Sequence, residues 1–272
     1  MSKNNFILIR GGGDLASGVA IRLHRSGIKV LITELPQPLA VRRAVSFAET
    51  VYEGQHTVEG VRSRLIEADQ FSAWEEANII PVLIDPNADI LTSFHFPVVV
   101  DARLIKQPPA PLPVDVPLHI GLGPGFHAGR DCHAVIETRR SHTLGRVIWD
   151  GTSQPDSGQP DGDPRRVLRA PEDGVLVSHA NIGDHLEEGQ LIAEIHSKIQ
   201  YRKSEILSPF VGVLRGLIHD GLSVPKGMKI GDVDPRNNRE ACFLVSDKAL
   251  AIGGGILEAV LSKREIREEL FS

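Results

Sequence analysis

From Pro171 onward the chain repeats itself. Pro171, Gly174, Val175, Leu176, Gly183, Gly189 and Ile192 recur as Pro209, Gly212, Val213, Leu214, Gly221, Gly227 and Ile230, each 38 residues later, and Leu186 and Ile195 recur as Val224 and Val233. Both copies read Pro-x-x-Gly-Val-Leu followed by glycine-centred turns every six to nine residues, a spacing that fits short strands and not helices. Neither copy has enough apolar residues to bury a face alone, so the two are expected to pack on each other. The repeat begins just after Asp150 to Arg165 (DGTSQPDSGQPDGDPR), which lacks any aliphatic residue and reads as a linker.

The N-terminal part follows a different rule. Phe6-Ile-Leu-Ile9 is a compact apolar run, three glycines follow, then Leu15, Val19 and Leu23 recur at helical spacing before Val30-Leu-Ile-Thr33. That is strand, tight turn, helix, strand, with Gly27 placed to end the helix in a left-handed conformation. Ile79 to Ile84 and Val98 to Val100, each closed by an aspartate (Asp85, Asp101), and Leu118 to Gly121 read as further buried strands. Gln70 to Ala77 reads as helical. Pro108, Pro109, Pro111, Pro113 and Pro117 make the segment between the last two strands an extended surface crossing. Ser246 to Leu270 reads as a helical tail interrupted at Gly253 to Gly255 and docking on the first domain. The expected fold class is therefore α/β: a Rossmann-like parallel-sheet domain (1–150), a linker (151–165), an all-β barrel-sandwich hybrid domain built from the duplication (166–235) and a C-terminal tail (236–272).

Composition restricts the function classes. Of 272 residues 41% are apolar and 24% charged, with a net charge of −5 and only 5% aromatic residues. A bulk nucleic-acid interface is poorly supplied with cations and stacking rings. No apolar stretch reaches membrane-spanning length, and Phe6 to Ile9 is too short for a signal peptide core. With two cysteines, Cys132 and Cys242, the chain is expected in the cytoplasm.

Gly11, Gly13 and Ala16 satisfy G-x-G-x-x-G/A between a strand and a helix, where free amides and the helix dipole can meet a pyrophosphate. Gly12 lies within the same loop, and Glu34, at the end of the second strand, is placed to accept hydrogen bonds from ribose hydroxyls. Asp14 is an acid inside a turn suited to phosphates, and it can cap the helix or bind a cation instead. A Walker A reading fails because Val19-Ala20 follows Gly18. Gly121, Gly123 and Gly125 form a second loop for an anionic group, with Arg139 and Arg140 as forks. His119, His127, His133 and His142 are too irregularly spaced for zinc. Asp131-Cys132-His133 raises an activated thiol, against which stands the opposite facing of strand neighbours. Asp232 and Asp234 read as salt-bridge partners of Lys229 and Arg236.

Taken together, Gly11-Gly-Gly-Asp-Leu-Ala-Ser-Gly18, Pro38-Leu-Ala-Val-Arg-Arg43, Gly121-Leu-Gly-Pro-Gly-Phe126, His133-Ala-Val-Ile-Glu-Thr138, Arg166-Val-Leu-Arg-Ala-Pro171, Lys229-Ile-Gly-Asp-Val-Asp-Pro-Arg236, Ser246-Asp-Lys-Ala249 and Gly253-Gly-Gly255 resemble the accessory protein family of the selenium-dependent molybdenum hydroxylase system. The resemblance implies maturation of a molybdenum hydroxylase, with that enzyme or its maturation factors as partners, and carries over no catalytic residue. The ligand expected in the first domain is nucleotide-bearing: molybdopterin dinucleotide or a nicotinamide cofactor. The repeat resembles biotinyl and lipoyl carrier domains, but Ser197-Lys198-Ile199 lacks their modification motif. Two alternatives stand beside this: an NAD-dependent oxidoreductase, which the missing Tyr-x-x-x-Lys pair disfavours, and a scaffold or carrier. Self-association is left open.

Overall fold

The computed structural model describes residues 2–3, 5–156, 158, 162–197 and 203–272. The chain divides into two compact units, Met1–Pro38 with Ser46–Asp156 and Val245–Ser272, and Leu39–Val45 with Ser157–Leu244. Lys198 lies outside the described residues.

Unit 1 is organised by a nine-stranded sheet. Its strands are β1 (Phe6–Arg10), β2 (Lys29–Glu34), β3 (Gln55–Val58), β4 (Val61–Ile66), β5 (Ile79–Ile84), β6 (Val98–Asp101), β7 (Leu118–Leu122), β8 (Ala134–Ile136) and β9 (Val147–Ile148). They lie in the order β9-β8-β7-β6-β1-β2-β5-β4-β3. Every pairing from β8 to β4 is parallel, and antiparallel β9 and β3 close the two edges. The central strands are buried along their whole length, and apolar up to a closing Arg10 and Asp101, because they are covered on both faces.

Helix α1 (Asp14–Arg25) joins β1 to β2 and buries Leu15, Val19 and Leu23. It ends as its sequence dictates: Gly27 is left-handed at φ 81°, its N–H reaches the His24 carbonyl at 3.0 Å, and Ile28 N–H reaches the Leu23 carbonyl at 3.1 Å. Helix α2 (Asp247–Ser262), capped by the Ser246 hydroxyl, packs on α1 where Ala249 meets Gly18. It runs unbroken through Gly253 to Gly255, against expectation. The reason is contact: a side chain on Gly253 would strike the Gly18 carbonyl, and one on Gly255 the Gly145 carbonyl, so packing compensates the entropy that glycine loses in a helix. Helix α3 (Arg264–Leu270) completes the chain.

The Rossmann-like assignment is corrected. A doubly wound sheet needs helical crossovers on both faces, whereas here only β1 to β2 crosses by a helix longer than four residues. Short helical turns, the β3–β4 hairpin and the proline-rich segment after β6 make the other connections. Residues 70–73 form a single 3-10 turn in place of the expected helix. The architecture is a mixed α/β fold with a large, mostly parallel sheet. One sheet face carries Leu8, Leu31, Leu83 and Val99 against Phe71, Phe96, Leu112, Val114 and Val116.

Unit 2 holds β10 (Val167–Arg169), β11 (Gly174–Ser178), β12 (His185–Leu186), β13 (Leu191–His196), β14 (Lys203–Leu207), β15 (Gly212–Leu217), β16 (Ser223–Val224) and β17 (Lys229–Asp234). They form two four-stranded sheets, ordered β10-β17-β15-β12 and β14-β13-β11-β16, with antiparallel pairing throughout. Each copy of the repeat is a long, short, long succession, and each lends its short strand to the other copy's sheet: β12 pairs with β15, and β16 with β11. The barrel-sandwich designation is replaced by this description of two sheets. Asp232 and Asp234 are buried and bind arginines: Asp232 takes Arg166 at 2.6 Å and also Arg215, and Asp234 takes Arg215 at 3.2 Å and Arg236 at 2.6 Å. Arg236 pairs with Asp234 as expected, and Arg166 and Arg215 join the network.

Candidate functional site

The first glycine loop is tied into its own fold. Gly11 N–H donates to the Thr33 carbonyl at 2.7 Å. Gly12 N–H donates to Glu34 Oε1 at 2.6 Å, and Leu35 N–H donates to Oε2 at 2.7 Å. Glu34, expected to meet ribose, instead satisfies the loop's amide. Burial pushes its carboxyl up, and these two amides pull it back. Gly12 also lies beneath residues 46–49: its carbonyl accepts from Ala48 N–H at 2.9 Å and from the Ser17 hydroxyl at 3.1 Å, and a Cβ would sit 2.9 Å from Ala48 N. Gly13 is the N-cap residue of α1, Asp14 stands in its first turn, and Ala16 is buried.

The second loop is likewise shaped by packing. The Phe126 ring occupies the space a side chain on Gly121 would need, and the Ile105 carbonyl does the same at Gly125. Gly123, at φ 87°, donates to the Ile136 carbonyl at 3.3 Å. Arg139 and Arg140 are exposed; Arg140 grips Asp247 with bonds of 2.6 and 2.7 Å, and Arg139 gives its backbone N–H to Glu137 at 2.7 Å. The Arg140 guanidinium is thereby committed to Asp247.

A cleft of about 480 Å³ lies elsewhere in unit 1, between the proline-rich segment (Pro111, Leu112, Val114, Asp115, Val116) and a ridge of His119 with residues 129–133. The sheet register explains it. Val99 on β6 pairs with His119 on β7, so His119 points to the face that Leu112, Val114 and Val116 cover. Register then places Arg10, Asp101 and Gly121 in the next row across β1, β6 and β7. Asp101, fully buried, holds Arg10 at 3.3 Å and Arg103 through bonds of 2.8 and 2.6 Å. Asp85 also acts on Arg10, so two guanidiniums and two carboxylates stand near His119.

His119 is 6% exposed, and its Nε2 is buried with no hydrogen-bond partner among the described residues. Burial first, then Arg10, His133 and Arg103 against the opposing Asp101, brings its pKa down to about 4, so the ring is neutral at pH 7. Its backbone N–H donates to His133 Nδ1 at 2.9 Å, and His133 N–H returns to the His119 carbonyl at 2.8 Å. Cys132 is buried, gives its thiol proton to the Ala134 carbonyl at 3.2 Å, and has its pKa pushed up to about 11, chiefly by burial. The thiol is therefore not activated. Asp131 accepts two bonds of 2.9 Å from Arg130 and another from His127 N–H.

The sequence reading had named His119, Cys132 and His133 for other chemistry, and it missed Arg10, Asp101 and Arg103. An aspartate closing an all-apolar strand was the available signal, since a buried charge demands partners.

No family model matches the chain. It is 45% identical over 265 residues to the uncharacterized protein YqeB of Escherichia coli (strain K12), covering 96% of this chain and 48% of that protein. The chain thus spans about half the length of this curated relative. Among solved structures, the aspartoacylase family protein of Mesorhizobium loti overlaps 84% of both chains at 11% identity and a TM-score of 0.28. A succinylglutamate desuccinylase of Silicibacter sp. overlaps 86% of this chain and 85% of its own at 14% identity and 0.27. The product-bound ectoine utilization protein EutE (DoeB) of Ruegeria pomeroyi overlaps 32% of this chain and 27% of its own at 18% identity and 0.25. Overlaps this shallow assign neither a fold nor an activity. None of these proteins is described as an accessory factor of a molybdenum hydroxylase. The expected maturation role, with its molybdopterin or nicotinamide ligand, is withdrawn on that finding. Among the described residues no helix is long and apolar enough to cross a membrane.

Proposed function

We propose that unit 1 binds a small organic molecule in the cleft between residues 111–116 and the His119 to His133 ridge, without forming a covalent bond to it. The observation carrying this reading is a cleft of ligand size whose wall includes His119, a ring whose buried Nε2 has no hydrogen-bond partner among the described residues. A buried polar atom left unpaired costs about 1–3 kcal/mol, and a guest that supplies a partner, directly or through one ordered water, recovers that cost. The raised thiol pKa of Cys132 speaks against a nucleophilic role. Two free, buried cysteines support a reducing compartment such as the cytoplasm.

A fragment screen spanning acids, amides, alcohols and amines, read by backbone amide chemical shifts, tests the proposal. Fragments are expected to shift Val114, Val116, His119 and Cys132, and His119→Phe is expected to lose them while remaining folded. Hits that map elsewhere, or equal binding by His119→Phe, would overturn it.

A further inference from the structure

His133 is held in one tautomer. Because its Nδ1 accepts the His119 backbone N–H, that nitrogen presents a lone pair, and the ring proton must sit on Nε2. His133 is exposed on the cleft wall, and Nε2 has no partner among the described residues. The wall therefore offers a fixed donor. Three positions earlier along the same ridge, Arg130 commits Nε and one terminal nitrogen to Asp131, leaving Nη1 without a partner among the described residues. Asp131 in turn accepts three bonds, two from Arg130 and one from His127 N–H. Opposite these donors stand Leu112, Val114 and Val116, packed on the core and open to the cleft on one side. The other carboxylate on the wall, Asp115, is exposed and belongs to the apolar side.

We propose, building on the reading above, that the occupant is a small monocarboxylic acid with a branched apolar body. Its carboxylate accepts from His133 Nε2–H and Arg130 Nη1, and its hydrocarbon lies on Leu112, Val114 and Val116. Asp115 on the apolar side disfavours a second carboxylate at the far end of the guest, which selects mono- over dicarboxylates. A primary amine would face two donors on the polar wall, where the acid is held, with Asp115 as an acceptor only on the apolar side.

Calorimetric titration of the full chain at neutral pH with 3-methylbutanoate, 3-methylbutanamide, 3-methylbutylamine and 3-methylpentanedioate decides this. The monocarboxylate is expected to bind about tenfold or more tightly than the other three, because charge-assisted bonds are the stronger ones. His133→Asn keeps an acceptor where Nδ1 stands and removes the Nε2 donor, so the strand ladder survives while affinity for the acid falls about tenfold; Arg130→Gln has a similar effect. Imidazole nitrogen shifts are expected to report the Nε2–H form of His133. An amide or amine that binds as well as the acid, an unchanged affinity in His133→Asn, or the Nδ1–H form would overturn the proposal. If other fragments occupy the cleft while acids do not, the acid assignment fails and the binding reading stands. If no fragment class occupies it, both fail.

Discussion

His119 and His133 are joined by a closed pair of hydrogen bonds in which one acceptor is a side chain: the His119 N–H donates to His133 Nδ1 at 2.9 Å, and the His133 N–H donates to the His119 carbonyl at 2.8 Å. The imidazole stands where the next backbone carbonyl of a parallel ladder would stand. The pairing between β7 and β8 is thereby extended by one residue, to the lip of the cleft, and fixes the His133 ring there.

Stability is expected to fall in mild acid because of His119. In the unfolded chain its imidazole takes a proton as pH drops below 6.5; in the folded chain it does so only at about 4. Between those values the unfolded state binds the extra proton, so stability decreases as pH falls, by about 3 kcal/mol in total, and above that window His119 contributes no slope. Urea unfolding at pH 7.5, 6 and 4.5 measures this. His119→Phe is expected to flatten the profile; an unchanged slope in the variant would place the effect on another group.

Cys132 is expected to resist alkylation. With its pKa at about 11, only about one thiol in a thousand is ionised at pH 8, and the group is buried as well. Iodoacetamide labelling followed by peptide mass analysis should show Cys132 reacting at least a hundredfold more slowly in the native protein than in urea. Comparable rates would contradict the packing described for it.

Gly121 is expected to tolerate no side chain while Phe126 is present. Gly121→Ala drives a methyl group into the ring, and overpacking of this kind costs about 1–3 kcal/mol. Pairing it with Phe126→Leu should recover part of that loss, measured as a double-mutant cycle in thermal unfolding. Additive losses would mean that ring and glycine do not meet.

Much of unit 1 was legible because its strands announce themselves. Phe6–Arg10, Lys29–Glu34, Ile79–Ile84 and Val98–Asp101 are apolar runs closed by polar residues, and the helix between the first two has its spacing and its Gly27 stop. Val61–Ile66 was missed because Arg62, Ser63 and Arg64 interrupt it; its partner across the edge is a polar hairpin strand. Glycine was the misleading signal. At Gly12 and Gly125 its role is close approach of Ala48 and Ile105, residues distant in sequence that no local pattern encodes, and at Gly121 it leaves room for the Phe126 ring. The same holds for the cleft, whose walls come from β7 and a proline-rich segment that reads as mere surface.

Asp232 is expected to matter most to unit 2. Neutralising it as Asp232→Ala leaves Arg166 and Arg215 facing each other with their shared carboxylate gone, and removing one partner of a buried pair costs about 3–5 kcal/mol. Limited proteolysis should then open unit 2 first, with cuts between residues 166 and 244 preceding those in residues 5–38. A protease pattern identical to that of the parent chain would count against this network as a structural keystone.

Binding in the cleft is tested most directly by following the His119 imidazole nitrogens in the full chain, selectively labelled, while the strongest fragment is titrated. The account predicts that the Nε2 resonance, in the cleft wall residue His119, moves with the same saturation curve as the amides of Val114 and Cys132. A saturating ligand that leaves Nε2 where it was would contradict it.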